Sequence, residues 1–138
     1  MLLNKNYNFG KNLVSLDLET TGLSPGKDKI IEIGAVKTDS NGNQIEEFNS
    51  LVNPGILISD FIENLTGISN DDVLSSLKFA DIVDEFQSFL DDSIIIGHNI
   101  EFDLRFLSEE LGLETLKIPS GELVNGPFLL DFARTNKN

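Results

Sequence analysis

The sequence predicts one layered α/β or α+β domain, in which strands and helices share a core. Three observations predict it: a length of 138 residues, several short apolar runs bounded by turn residues, and one longer stretch of helical periodicity. A chain of this length suits one domain better than two. Apolar residues make up 40% of the chain and ten residues are phenylalanine, a composition typical of folded proteins.

Strands are predicted in the first part of the chain. A polar lead-in at residues 1–12 precedes an apolar run at 13–18, which predicts a buried strand. Residues 30–38 predict a second strand and residues 44–52 a third. An Asn-Gly-Asn turn at 41–43 separates these two, so they are expected to form a hairpin.

Helical periodicity begins in the second half. Apolar residues between Phe79 and Leu90 recur at helical spacing and lie on one face of a helix. The apolar run at 93–97 predicts a strand that is covered on both faces. The pattern from Phe102 to Leu111 predicts a second helix, and Gly112 is well placed to end it. Leu129-Leu130 is the candidate for a fifth strand.

Composition and charge exclude several classes of function. Cysteine is absent, so disulfides, thiolate nucleophiles and zinc–thiolate sites are excluded. The 23 acidic and 10 basic residues give a net charge of −13, which argues against a broad basic groove for nucleic acid. No signal-like segment or apolar run of about 18 residues is present. We therefore expect a soluble, cytoplasmic protein that does not associate with membranes.

Two carboxylates at the end of the first strand are the first candidate site. Asp17 and Glu19 are two residues apart, so a strand puts both side chains on the same face. Held close together they repel each other, and a hard divalent cation such as Mg²⁺ or Mn²⁺ relieves that repulsion. The alternative is a pair that simply faces solvent, since this spacing is common by chance.

A third carboxylate, Asp103, lies just after the predicted strand at 93–97. Asn99 is a plausible N-cap, which puts Asp103 in the first turn or so of a helix that leaves the carboxyl end of a strand. Open α/β sheets usually bind ligands at such ends. The alternative is an acid that merely stabilises the helix dipole, and physical reasoning alone leaves both interpretations open.

Four motifs occur in an order that resembles the DEDD-type 3′–5′ exonucleases. They are LDLETTGLSP at 16–25, IIEIGAV at 30–36, LTGIS at 65–69 and GHNIEFDLRFL at 97–107. The chain is similar to the proofreading epsilon subunit of bacterial DNA polymerase III, of the DEDDh subgroup. The resemblance implies a ribonuclease-H-like fold, a mixed five-stranded sheet with flanking helices. It assigns residues 13–138 to an exonuclease domain.

The resemblance also implies the roles of individual residues. Asp17, Glu19 and Asp103 are expected to be catalytic and to hold two Mg²⁺ or Mn²⁺ ions, which activate water and stabilise charge on the phosphate. The implied substrate is a single-stranded DNA or RNA 3′ end, and the implied partner is a polymerase subunit in replication. The implied substrate contacts are Thr20, Thr21, Leu23, Leu65, Thr66, Asn99 and Phe102. For Leu65 and Phe102, core packing is an equally good alternative.

The chain departs from the family pattern near its end. The family continues after the fifth strand into a helix with the pattern H-x-A-x-x-D, which supplies a general base and a fourth carboxylate. The sequence has one histidine, His98, expected to be structural, and Asp131 lies too early to be the missing ligand. Glu32 is expected either to support the site or to be a strand-edge residue, and not to bind metal.

We therefore expect a domain that is incomplete at its C-terminus and lacks the last helix. Its activity should be weak or absent, and an uncovered sheet face should favour self-association. A truncated gene, a partner chain that supplies the rest and a degenerate domain all remain open, and we favour truncation. The alternative function is a non-catalytic module that binds a nucleic-acid end or a polymerase.

Overall fold

The computed structural model describes residues 10–111 and 123–126. Its strands are β1 (Leu13–Thr20), β2 (Ile30–Thr38), β3 (Gln44–Leu51), β4 (Ile94–His98) and β5 (Leu123–Gly126). Its helices are α1 (Asp60–Thr66), α2 (Asn70–Leu74), α3 (Phe79–Leu90) and α4 (Ile100–Leu111). The strands form one sheet in the order β3-β2-β1-β4-β5. β1 pairs antiparallel with β2 and parallel with β4, so the predicted mixed five-stranded sheet is confirmed.

Most predicted elements agree with the structure to within two residues. This holds for β1 to β4, for α3 and for α4, and β2 and β3 form the expected antiparallel hairpin. The fifth strand lies at Leu123–Gly126, where it pairs parallel with β4. Leu129-Leu130, Gly112 and residues 1–9 of the lead-in lie outside the described residues.

The two short helices α1 and α2 were not predicted. They are too short to show helical periodicity, and capping hydrogen bonds at their ends mark where they begin and end. The Ser59 hydroxyl accepts a hydrogen bond from the Ile62 backbone N–H at the start of α1. Gly67, with φ of 78°, ends α1 in the left-handed conformation that glycine adopts without strain. Ser69 and Asp72 form a reciprocal capping box at the start of α2. Within the described ranges, no helix is long and apolar enough to cross a membrane.

α3 covers one end of the core with aromatic side chains. The Phe48 ring of β3 packs against Phe86 and Phe89 of α3, with centroid distances of 5.3 and 5.7 Å. The buried Lys37 ammonium lies 4.7 Å from the Phe89 ring centre and 3.7 Å from a carboxylate oxygen of Glu46. Both neighbours compensate for part of the cost of burying this charge.

β1 has one apolar face and one polar face. Leu16 and Leu18 are buried in the core, whereas Asp17 is exposed and Glu19 is half-buried. This alternation is the period of two that a strand imposes. α4 contacts β1, β2 and β5, and it carries Asp103. The fold therefore brings the N-terminal and C-terminal motifs to one region of the sheet.

Candidate active site

Across the β1–β2 ladder, the two acids of β1 pair with one glutamate and one glycine of β2. Glu19 pairs with Glu32, and Asp17 pairs with Gly34. Residues paired across an antiparallel ladder project from the same face, so Glu32 adds a further carboxylate beside Glu19. Gly34 adds no side chain, which leaves space beside Asp17.

A tight turn between β4 and α4 positions Asp103. Gly97 lies in β4 just before this turn, and a Cβ there would come within 2.9 Å of Ile100 Cδ1 and 3.1 Å of the Leu16 carbonyl oxygen, so a larger residue would require its neighbours to move. Asn99 follows with φ of 77°, a left-handed conformation that asparagine tolerates better than most residues. The Asn99 carbonyl accepts a hydrogen bond of 3.0 Å from the Phe102 backbone N–H. The helix therefore begins directly after the strand, and Asp103 is only 6% exposed.

The three predicted carboxylates act on one another electrostatically. Burial, and then the charges of Asp17 and Glu19, raise the pKa of Asp103 to about 7. Burial, and then the charges of Asp17 and Glu32, raise the pKa of Glu19. Asp17, Glu19 and Asp103 therefore lie near enough for their charges to interact, and Glu32 adds its charge to the surroundings of Glu19.

The chemistry of these donors suits a hard divalent cation. Carboxylate oxygens are the ligands that Mg²⁺ and Mn²⁺ prefer, and a cation would supply a counter-charge for Asp103, which forms no ion pair with any residue that the structure describes. In residues 10–111 and 123–126, however, no three His, Asp or Glu side chains are already arranged as ligands around one point. The residues thus fit a metal in kind, and binding would require their side chains to converge further.

The loop after β1 is held by its own hydrogen bonds. The Thr20 hydroxyl donates to the Gly22 carbonyl oxygen at 2.5 Å, and the Thr21 hydroxyl donates to a carboxylate oxygen of Asp28 at 3.0 Å. The Thr21 hydroxyl also accepts from the Lys29 backbone N–H at 3.0 Å. Any contact of these hydroxyls with a nucleotide must compete with these bonds. Sequence reasoning missed Asp28, since an acid among turn residues gives no distinctive pattern.

The remaining predicted contact residues fall into two groups. Leu23 and Leu65 are 82% and 69% exposed, so core packing does not explain Leu65. Phe102 is half-buried, and its ring centre lies 4.8 Å from that of Phe106, so packing explains at least part of its position. Asn99 is exposed, and the Thr66 hydroxyl donates within its own helix.

His98 lies at the end of β4 with its side chain exposed, so it has no place in the core. Ser15 pairs with Ile96, and strand alternation then puts His98 on the face of the sheet that carries Asp17. The expectation of a structural histidine held within the protein is therefore not supported by its surroundings.

Sequence comparison identifies the family. A model described as an exonuclease family, RNase T, matches residues 14–119. The chain belongs to this exonuclease family. It is 40% identical over 113 residues to a PolC-type DNA polymerase III of Pediococcus pentosaceus, a match that covers 80% of this chain and 8% of that protein. It is 41% identical over 116 residues to the 3′-5′ exonuclease DinG of Bacillus subtilis, covering 83% of this chain and 12% of that one. The chain thus spans about a tenth of the length of these relatives.

A solved structure supports the same fold class. Escherichia coli exonuclease I in complex with a dT13 oligonucleotide superposes with a TM-score of 0.66 at 23% identity. The superposition covers 74% of this chain and 24% of that one. The ribonuclease-H-like class implied by the exonuclease motifs is therefore confirmed.

Proposed function

We propose that this chain is a divalent-metal-dependent 3′–5′ exonuclease domain that hydrolyses phosphodiester bonds at single-stranded DNA ends. The observation that carries the proposal is the contact of α4, which carries Asp103, with β1, which carries Asp17 and Glu19, and the raised pKa of Asp103 agrees with it. Membership of an exonuclease family gives this carboxylate cluster a chemical purpose. DNA is favoured over RNA because the similar proteins include DNA polymerases and an exonuclease bound to dT13.

The proposed metal ligands are Asp17, Glu19 and Asp103. Bound Mg²⁺ or Mn²⁺ ions would supply an activated water and stabilise charge on the scissile phosphate. To bind them, Asp103 must lose the proton that its raised pKa favours near neutral pH, so metal binding should release protons. Gly34 leaves room beside Asp17, on the face where a phosphate would enter.

The net charge of −13 suits a substrate that is bound by its end. A strongly acidic protein repels a polyanion over long distances, although salt screens that repulsion beyond about 10 Å. Divalent ions in the cluster neutralise charge only where the scissile phosphate lies. An enzyme that takes single ends needs no basic groove along the strand, unlike proteins that coat single-stranded DNA.

The proposed substrate contacts surround the loop after β1 and the ends of α1 and α4. Leu23 and Leu65 are large apolar side chains exposed to solvent, as an apolar wall around a base requires. The half-buried Phe102 would contribute the exposed part of its ring to the same wall. The full proposed set is Thr20, Thr21, Leu23, Leu65, Thr66, Asn99 and Phe102.

The test is degradation of a single-stranded DNA oligonucleotide labelled at its 5′ end. We expect a ladder of products shortened from the 3′ end in Mn²⁺, and none in EDTA. Asp17→Asn should abolish the ladder, whereas Asp84→Asn, on the exposed side of α3, should not. Shortening from the 5′ end, or equal cleavage in EDTA, would contradict the proposal.

A second candidate is a non-catalytic module that binds a nucleic-acid end or a DNA polymerase chain. It is favoured by the lack of three preformed metal ligands among the described residues. The match to a DNA polymerase III supports a polymerase as the partner, with proofreading as the purpose. This candidate predicts oligonucleotide binding without metal that is unaffected by Asp17→Ala.

A further inference from the structure

A carboxylate outside the candidate cluster joins α4 to the sheet. Oε2 of Glu110 accepts a hydrogen bond of 2.9 Å from the backbone N–H of Ile30. Ile30 is the first residue of β2, and it pairs with Thr20, the last residue of β1. The bond therefore fixes the last turn of α4 to the end of the strand that carries Asp17 and Glu19.

Glu110 and Asp103 occupy the same face of one helix. They are seven residues apart on α4, which is close to two full turns and about 10 Å along the axis. Asp103 is buried on the helix that contacts β1, and the charges of Asp17 and Glu19 act on it. The helix thus reaches the sheet at two places, once through Asp103 and once through Glu110.

The bond forms where the β1–β2 ladder is irregular. The pairing register shifts between Glu19 and Thr20. Such irregularities interrupt the regular ladder, so the ladder alone fixes the adjoining backbone less firmly. A hydrogen bond from a backbone N–H to a carboxylate is stronger than one between neutral groups. Glu110 therefore supplies a firm contact beside Glu19, at an irregularity of the β1–β2 ladder.

We infer that Glu110 is a positioning residue for the carboxylate cluster. By tying α4 to the start of β2, it sets how closely Asp103 approaches Asp17 and Glu19. Its carboxylate contacts the backbone of Ile30 and acts only through Asp103. The inference rests on the proposed function, because it assumes that these three carboxylates bind metal together.

The test compares Glu110→Ala with Glu110→Gln in the full chain. Glutamine keeps a side-chain carbonyl that accepts the Ile30 N–H, whereas alanine removes the acceptor. For Glu110→Ala we expect Mn²⁺ binding, measured by calorimetry, to weaken about tenfold, a typical cost of losing a residue that supports metal ligands. Its kcat on the oligonucleotide should fall similarly while KM changes little. Glu110→Gln should restore both, and Glu85→Ala, on the exposed side of α3, should match wild type.

Amide hydrogen exchange at Ile30 in metal-free protein gives an independent readout. Glu110→Ala should accelerate this exchange, because it removes the acceptor of the Ile30 N–H.

Unchanged Mn²⁺ affinity in Glu110→Ala would overturn the inference. The inference would also be overturned if Glu110→Gln bound Mn²⁺ much more weakly than wild type. This second comparison remains usable even if Glu110→Ala does not fold. A wild-type chain that neither binds Mn²⁺ nor cleaves DNA would contradict the proposed function, and the inference would fall with it. Wild-type binding with an unaffected alanine variant would contradict the inference alone.

Discussion

At the scale of single residues, the buried carboxyl of Asp103 most needs a counter-charge. It is 6% exposed, and both burial and the neighbouring acids disfavour its ionised form. Its ordinary pKa of 3.8 rises to about 7 in the folded protein. Between these two values the folded state retains a proton that the unfolded state has released. Without metal, stability should therefore fall as the pH rises from about 4 to about 7, and then level off.

Replacing Asp103 by asparagine should stabilise the metal-free protein at pH 8. The substitution removes a charge whose burial is unfavourable, and a shift of one pKa unit corresponds to about 1.4 kcal/mol. After allowance for screening by nearby solvent, we expect a gain on the order of 2 kcal/mol at pH 8 and none at pH 4. Urea denaturation in EDTA measures both values. An equal effect at the two pH values would show that Asp103 does not titrate as described.

Replacing Glu32 by glutamine should lower the pKa of Glu19. Glu32 pairs with Glu19 across the ladder, and its negative charge contributes to the raised pKa of Glu19. Removing that charge makes ionisation of Glu19 easier. A carbon-13 NMR titration of the Glu19 carboxyl, in wild type and variant, measures the change. The control is Glu47→Gln, at an exposed position of β3, which should leave the pKa of Glu19 unchanged.

At the scale of elements, periodicity explains what the sequence predicted. β1, β2, β4, α3 and α4 bury several apolar side chains whose spacing is visible in the sequence, whereas β3 buries only Phe48 and follows a recognisable turn at 41–43. α1 and α2 have seven and five residues, too few for a period, and depend on capping bonds of Ser59 and Ser69. The motifs pointed to Asp17, Glu19 and Asp103 as candidates, but not to the bonds made by Asp28 and Glu110. Asp28 bonds within its own loop, where an acid gives no distinctive pattern, whereas the bond of Glu110 to Ile30 joins residues far apart in the sequence.

The loop between β1 and β2 offers a test at this scale. A Cβ at Gly22 would overlap the carboxylate of Asp28, which also accepts bonds from Thr21 Oγ1 and the Ser24 backbone N–H. Gly22→Ala should therefore destabilise the protein by roughly 1–3 kcal/mol, a usual cost of overpacking. Thermal or urea denaturation measures the loss.

A double-mutant cycle identifies the cause of that loss. In the background of Asp28→Ala the carboxylate is gone, so adding Gly22→Ala should cost much less than it does in wild type. Equal costs in the two backgrounds would mean that contact with Asp28 is not the reason for glycine at position 22.

At the scale of the whole molecule, the large negative net charge makes it difficult to distinguish metal binding at one site from general attraction of cations. A chain with net charge −13 attracts divalent cations to many places on its surface. On α3 alone, the exposed acids are Asp81, Asp84 and Glu85. Evidence that Mn²⁺ binds somewhere therefore does not distinguish a site built from β1 and α4 from general attraction. The central claim concerns where the first ion binds.

Paramagnetic broadening of NMR signals by substoichiometric Mn²⁺ tests that claim most directly, because Mn²⁺ broadens the signals of nearby nuclei. The proposed function predicts that signals of Asp17, Glu19 and Asp103 broaden first, and that Asp17→Asn removes this preference. Broadening that begins at the acids of α3, or that spreads evenly over the acidic residues, would contradict the assignment of a metal-dependent exonuclease site to these three carboxylates.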